Sequence, residues 1–333
     1  MSFSVTVILT TLNDQKIIAD CLRSIRRQKY DGEIEVLMVD GGSTDDTIKI
    51  AKKSKARVVS RPEWKDFPNK RSELGINSVQ TDVVMFFSAD NRFKEDDCLS
   101  KMIEPFQDDE ITIVETFRYG FFPNSSLLTK YFALIGGADP VAVLLGKADR
   151  APYDNDNWHS FGKVVNKLKY FEVTFENDKN KIPTLGANGT AVRNSVLKQY
   201  PVVDGLHTEM CLNFIKNGYN KFAFVKNAHI VHEINIDLIS FIKRRLKWAK
   251  MYSRSKMKRD YAVFNLKNDL FKLIFIIITA LTFVFPVFRA IRGYIKYPNK
   301  AWFLHQLILP VFVLAYGVQM IKKMLCNYDL LNN

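Results

Sequence analysis

The chain has 333 residues, 25% of them charged, with a formal net charge of +13. That length suits one large domain plus an appendage. Four widely spaced cysteines (Cys21, Cys98, Cys211, Cys326) without a CxxC pair exclude a zinc site and point to reduced thiols in a cytosolic setting. No cleavable signal peptide, low-complexity segment or internal repeat is visible. The basic excess is local: Lys+Arg against Asp+Glu is 31 to 32 over residues 1–239, 11 to 2 over 240–272, and 6 to 1 over 273–333. Basic tracts of this kind meet nucleic acid or anionic lipid, and the apolar runs beside this one favour lipid.

Val5–Thr11 reads as a first strand, followed by Leu12-Asn13-Asp14 and an amphipathic helix from about Ile17 to Gln28. Glu33–Val39 is a second strand. It leaves through Asp40-Gly41-Gly42-Ser43-Thr44-Asp45 into the helical segment 46–53. Arg57–Val59 is a short third strand, and Asp82–Ser88 is another buried one, ending in Ala89-Asp90-Asn91. Alternating strands and helices predict a mostly parallel sheet with helices on its faces. Polar clusters then fall at three strand ends (Thr10–Asn13, Asp40–Asp45, Ser88–Asn91), the edge where open α/β sheets bind ligands. The carboxylate of Asp40, backed by two glycines, leaves room for a flat ligand to approach the backbone. Thr44 and Asp45 read equally well as helix caps.

Residues 115–182 carry Tyr153, Trp158, His159 and several further aromatic residues around Asp154–Asn157. Aromatic rings suit sugar faces and apolar ones a lipid tail, but most of these rings are expected in the core. Met210–Asn217 is a helix followed by Gly218-Tyr219, and Ala228–Glu233 is a strand with His232 at its end. Over 237–255, Leu238, Ile242, Leu246, Ala249 and Tyr252 fall at helical spacing among Lys243, Arg244, Lys247, Lys250 and Arg254, the pattern of a helix lying on an anionic leaflet. Leu273–Phe288 is a charge-free run of 16 residues, and Ala301–Ile321 is an apolar run of 21. They predict a membrane hairpin. Arg289, Arg292, Lys296 and Lys300 between the runs oppose full crossing, because positive residues prefer the cytoplasmic side. A re-entrant hairpin would resolve that conflict.

On these residues the chain resembles the inverting family 2 glycosyltransferases of GT-A fold. The resemblance rests on Thr10-Thr11-Leu12-Asn13, on the Asp-Gly-Gly-Ser-Thr-Asp turn and on Ser88-Ala89-Asp90-Asn91 at the place of the DXD motif. It also rests on the acceptor-side segment Gly186-Ala187-Asn188-Gly189-Thr190-Ala191-Val192-Arg193. It covers roughly residues 4–233. It implies an α/β fold with a Rossmann-like mixed sheet over residues 1–235. Interfacial helices (236–269), two membrane helices (270–323) and a short cytoplasmic tail (324–333) would follow.

The resemblance also implies the site. A nucleotide-sugar would meet Thr10, Thr11, Asn13, Asp40, Gly41, Ser88, Ala89 and Asp90, with Asp40 suited to a uracil imide and hence to a UDP-sugar. Lys70 and Arg71 would meet the diphosphate, or would be a solvated first turn. Asp90 and His232 would hold Mg2+ or Mn2+, with Ser88 replacing the first acidic residue of the DXD pattern. The acceptor would meet Gly186, Ala187, Asn188, Gly189 and Trp158. The general base is Glu209 by preference, with His207 at the ungapped position and Asp204 reached by a longer shift. Arg244-Arg245-Leu246-Lys247-Trp248 resembles a degraded QxxRW motif.

The implied partners are a nucleotide-sugar, a lipid-linked or glycan acceptor and membrane phospholipid, without nucleic acid. A homo-oligomer is left open. The implied setting is a multi-pass cell-membrane protein with a cytoplasmic catalytic domain. A processive synthase and a non-catalytic nucleotide-sugar-binding subunit remain as alternatives.

Overall fold

The computed structural model describes residues 2–200, 207–254, 260–261 and 266–331. Asp204 and the side chains of 248–254, Trp248 among them, lie outside the described set.

Strands β1 (Val5–Thr11), β2 (Ile34–Asp40), β3 (Arg57–Ser60) and β4 (Val83–Ser88) run parallel in the order β3-β2-β1-β4. Helices α1 (Ile18–Arg26), α2 (Thr47–Lys53) and α3 (Pro68–Asn77) make the crossovers. Two-sided burial explains the nearly continuous apolar composition of β1, β2 and β4. Alternate residues serve different cores: Val5, Val7 and Leu9 face one, Ile8 the other.

The second half makes the sheet mixed. It contains β5 (Asn91–Phe93), α4 (Cys98–Ile103), β6 (Ile111–Gly120), α5 (Leu127–Ile135), α6 (Pro140–Leu144), β7 (Lys163–Asn166) and β8 (Tyr170–Thr174). Then come β9 (Thr190–Arg193), α7 (Asn194–Gln199), α8 (His207–Lys216) and β10 (Lys221–His232). Strand β9 runs antiparallel between β4 and β6. Strand β10 is parallel to β6 and antiparallel to β5 and β8. The β5–β10 register sets His232 opposite Asn91.

A third core lies between α5–α6 and the C-terminal helices α9 (Leu238–Arg254), α10 (Leu266–Leu281), α11 (Val284–Lys296) and α12 (His305–Leu331). Leu127–Leu144 is apolar enough to span a bilayer, yet 78% of it is buried here, so it is core. Segment 115–182 is thus largely a platform for the C-terminal helices. Helix α9 turns Leu238, Phe241 and Ile242 into this core and leaves Lys243, Arg244 and Lys247 exposed.

The first of the two expected membrane runs is bent. The run Leu273–Phe288 breaks at Phe283, which adopts φ 58°, and α10 and α11 meet at 82°. The 16 residues of α10 give roughly 24 Å, short of the hydrocarbon thickness of about 30 Å. Helix α11 returns to the body: Arg289 lies 3.7 Å from Asp154, and Lys296 lies 2.7 Å from Asp156. Lys300–Val318 is unbroken over 19 residues with a mean hydropathy of 1.7. Helix α12 continues to Leu331, through part of the expected tail.

Candidate active site

The donor-side turn is built around Asp40, which is fully buried at the end of β2, opposite Thr11 on β1 and Ser60 on β3. Its carboxylate accepts from the amides of Gly42 (2.7 Å) and Ser43 (2.8 Å) and from the hydroxyls of Thr11 (3.3 Å), Ser60 (3.3 Å) and Ser43. A carboxylate has about four lone-pair sites, so the chain's own donors saturate it. Asp40 therefore shapes the turn instead of presenting a free oxygen to a base.

Asn13, at φ 56°, stitches the β1 loop to this turn: its Oδ1 accepts the Thr44 amide (2.9 Å), and its own amide donates to Ser43 Oγ (2.8 Å). Asp45 takes the capping role, accepting from the Thr47 amide (3.0 Å). Thr10 is half-buried at the strand end.

Arg71 is buried under the turn and donates from Nη1 to the Thr11 carbonyl (3.0 Å). A Cβ on Gly41 would stand 1.8 Å from that nitrogen, so any other residue there would displace the guanidinium. Burial lowers the Arg71 pKa, with Asp40 and Asp14 opposing. Lys70 is exposed, 5.2 Å from the ring centre of Phe67, so of the two only Arg71 joins the turn.

Sequence reasoning passed over Asp14. Burial raises its carboxyl above the usual range, the Leu12 amide opposes, and the charge of Asp90 adds to the rise. Asp14 thus lies near enough to Asp90 to feel its charge.

Asp90 follows β4 through Ser88 and the buried Ala89. The Ser88 amide donates to Asn91 Oδ1 (3.0 Å), and the Asp90 carbonyl accepts the Glu233 amide (2.9 Å). These bonds and the β5–β10 register bring His232 Nε2 to 3.4 Å from Asp90 Oδ2. Burial opposes both charges. His232 nevertheless holds the Asp90 carboxyl below its usual range, and Asp90 holds the imidazole above its own. Among the described residues no cluster of three His, Cys, Asp or Glu side chains forms. A carboxylate and an imidazole fit a hard divalent ion that takes its other ligands from phosphate and water. A cavity of about 190 Å³ opens beside Asp90, lined by Ile17, Asp20, Arg92 and Glu233 among others.

A hydrogen-bond ladder runs from Asp90 to the acceptor-side loop. Asn91 Nδ2 donates to Asp90 Oδ1 and to Asn188 Oδ1, both at 3.4 Å. Asn188, at φ 55°, donates from Nδ2 to the Tyr119 hydroxyl (3.2 Å), which in turn donates to Asp149 Oδ2.

The loop rests on a fully buried ion pair, Glu115–Arg150. Glu115 accepts from the Gly186 amide (2.9 Å) and Thr190 Oγ1 (2.5 Å). Arg150 donates to the carbonyls of Ala187 (3.5 Å) and Asn188 (3.4 Å). Burial raises the Glu115 carboxyl, with Arg150 opposing. Gly189, at φ 90°, donates its amide to the Phe86 carbonyl (2.7 Å). No motif marked Glu115, Tyr119, Asp149 or Arg150.

Of the expected bases, His207 and Glu209 are among the described residues and Asp204 is not. His207 packs edge-on to Phe86 with Nδ1 buried and unpartnered, and burial pushes its pKa down to about 4. Glu209 accepts from the backbone amides of Tyr261 (2.9 Å) and Asp260 (3.3 Å). Trp158, expected at the acceptor, is partly buried and packs against the second core. It lies on Phe224 (4.1 Å between ring centres) and donates its indole N–H to the Phe161 carbonyl (2.8 Å).

The sequence profile described as Glycosyl transferase family 2 matches residues 6–200, more than half of the chain. The chain belongs to glycosyl transferase family 2. Its mixed sheet is the GT-A arrangement expected from the sequence. This family 2 chain is 30% identical over 101 residues to the PGL/p-HBAD biosynthesis glycosyltransferases of Mycobacterium bovis and Mycobacterium tuberculosis. That match covers 29% of the chain and 39% of each relative's length.

Among solved structures it is similar to S. aureus TarS (16% identity, TM-score 0.48, 77% of this chain and 41% of that one). It is also similar to glucosyl-3-phosphoglycerate synthase from M. tuberculosis, crystallised with Mn2+ and UDP-glucose (18%, 0.48, 78% and 81%).

Proposed function

We propose that this family 2 chain transfers a sugar, with inversion, from a UDP-sugar to a lipid-linked or glycan acceptor at the cytoplasmic face of a membrane. The carrying observation is the meeting of Asp90 and His232 at the strand edge that also holds the Asp40 turn. The Asp40–Arg71 turn would present backbone and Thr10 to the nucleotide. Arg71 would add positive charge near the diphosphate. Asp90 and His232 would hold Mg2+ or Mn2+, which neutralises a leaving diphosphate when bound. The Asn91–Asn188 bridge would fix the acceptor loop relative to the donor, and orientation of this kind supplies much of a rate enhancement. Involvement in cell-surface glycan or glycolipid synthesis fits the membrane-facing helices.

The membrane part of the reading rests on exposed apolar side chains, among them Phe271, Phe275, Val284 and Ile295. The ion pairs of Arg289 and Lys296 with Asp154 and Asp156 favour α10–α11 as a re-entrant wedge on the catalytic side, with α12 as the crossing helix. That arrangement keeps Arg289, Arg292, Lys296 and Lys300 on the catalytic side, as the positive-inside preference favours for these four. A cysteine at Ile295 should react with impermeant maleimide from the catalytic side only. Labelling from the other side would refute the wedge.

Thermal shift with UDP, UDP-glucose and UDP-N-acetylglucosamine, each with and without Mn2+, tests the donor site, since a ligand that binds the native state raises its melting point. A Mn2+-dependent shift abolished by Asp90→Ala and by His232→Ala is expected. No shift with any of these probes would overturn the reading.

A further inference from the structure

Transfer to a hydroxyl needs a group that takes the acceptor proton. His207 is neutral and wedged against Phe86, and Glu209 is bonded to the backbone of 260–261. A different carboxylate stands at the acceptor end of the ladder. Asp149 receives the Tyr119 hydroxyl on Oδ2; Tyr119 receives Asn188, and Asn188 leads through Asn91 to Asp90. The Tyr119 ring centre is 6.3 Å from that of His232, so the ladder to Asp149 passes beside the Asp90–His232 pair. Asp149 is partly exposed, and among the described residues no donor meets its Oδ1.

The loop that carries it is fixed from several directions. Lys147 lies 3.8 Å from Asp269 on α10, and its carbonyl accepts the Thr184 amide (3.1 Å). Arg150 is paired with Glu115, and its amide donates to the Gly136 carbonyl (3.1 Å). The Ala151 amide donates to the Phe117 carbonyl (2.8 Å). Gly136 adopts φ 85°, and a Cβ there would stand 2.3 Å from the Arg150 carbonyl oxygen, so the close approach needs glycine. A carboxylate held this firmly pays little reorganisation when it acts. The tie to α10, whose Phe271 and Phe275 are exposed, suits an acceptor headgroup that arrives with its tail in lipid.

We infer that Asp149 is the general base of this chain and that the acceptor atom it serves is a hydroxyl oxygen, an assignment that rests on the glycosyl-transfer reading above. The acceptor O–H passes its proton to Asp149 Oδ1. The freed oxygen pair forms the bond to the anomeric carbon. The bond from that carbon to the nucleoside diphosphate breaks, and its electron pair leaves on the diphosphate oxygen. Asp149 then releases the proton to solvent. Tyr119 on β6 positions the carboxylate. The charged neighbours are Arg150 on the same loop, Glu115 on β6 and His232 on β10.

The test uses the full chain in detergent micelles with Mn2+, water as acceptor, and UDP release from UDP-glucose and UDP-N-acetylglucosamine as the rate. UDP binding is read in parallel by thermal shift. Asp149→Asn should leave the UDP shift unchanged and lower kcat by about 100-fold or more, the usual weight of general base catalysis. Tyr119→Phe removes a donor to the charged carboxylate, so the acid limb of its kcat profile should move to higher pH. A wild-type chain that shows no UDP shift overturns the glycosyl-transfer reading and this assignment together. A wild-type chain that binds and turns over, while Asp149→Asn keeps kcat within about threefold, overturns the base alone. An acceptor already ionised, such as a phosphate monoester, would then need none. If Asp149→Asn fails to fold, Tyr119→Phe decides, and an unmoved acid limb overturns the assignment.

Discussion

Arg150→Met removes one half of the ion pair beneath the acceptor loop. Both partners are completely buried, so the change strands the Glu115 charge away from water. Breaking such a pair from one side costs about 3–5 kcal/mol. Glu115 keeps the Gly186 amide and the Thr190 hydroxyl as donors, which places the expected loss toward the lower end of that range.

The pH dependence has a definite sign. The Glu115 carboxyl already lies above its usual range, because burial outweighs Arg150. A carboxyl with a raised folded pKa binds more protons folded than unfolded. It therefore favours folding in acid, and that contribution falls as pH rises from the unfolded value towards the folded one. Without Arg150 the rise grows, so the deficit of Arg150→Met should be larger at about pH 8 than at about pH 5. Urea unfolding of the chain in micelles, followed by tryptophan fluorescence at both pH values, measures this. Glu115→Gln added to Arg150→Met keeps an acceptor for Gly186 and Thr190 without the charge, and should recover at least about half of the loss. A loss under about 1 kcal/mol at the higher pH, or a deficit that does not shrink in acid, would refute the reasoning.

His207→Phe should flatten the acid limb of stability. The folded imidazole titrates at about 4, and the unfolded one at about 6.5. The unfolded chain therefore gains a proton first, and the native state loses roughly 3 kcal/mol as pH falls through that window. An unchanged slope in the variant would count against the buried neutral histidine. Gly41→Ala should push the Arg71 guanidinium off the Thr11 carbonyl and weaken UDP binding about tenfold, read by calorimetry. Wild-type affinity in that variant would mean that Arg71 does not serve the nucleotide. Trp158→Ala should cost about 1–3 kcal/mol, less than a full core deletion because the ring is only partly buried, and leave UDP affinity unchanged; a selective loss of UDP affinity would place Trp158 in the site.

The parallel half of the fold was legible because its strands are short apolar runs that end in polar turns, and local composition records both. Asp90 and His232 were also legible, each sitting at the end of a recognisable strand. What the sequence concealed lies in long-range pairing. Glu115 and Arg150 are 35 residues apart and read separately as ordinary charges. Tyr119 sits inside an apolar strand, and Asp149 lies in a loop with no spacing signature. Asp40 misled for a related reason: sequence shows that a carboxylate is present but not that five donors of the chain already occupy it. The break at Phe283 was invisible to hydropathy, because a residue with positive φ leaves composition unchanged.

The third core bears on how the chain can be handled. Tyr131, Phe132 and Leu134 of α5 are covered by Phe241, Trp302 and Phe312 of the C-terminal helices. Asp139, which caps α6, meets Arg245 at 3.5 Å and accepts the Tyr316 hydroxyl, while the His305 ring meets the Tyr131 hydroxyl at 2.8 Å. Cutting after residue 235 to obtain a soluble enzyme would therefore expose a greasy face and strip Arg245 and Tyr316 from Asp139 and Asp269 from Lys147. Helices α5 and α6 share one core with the C-terminal helices, so the chain is best expressed and purified whole.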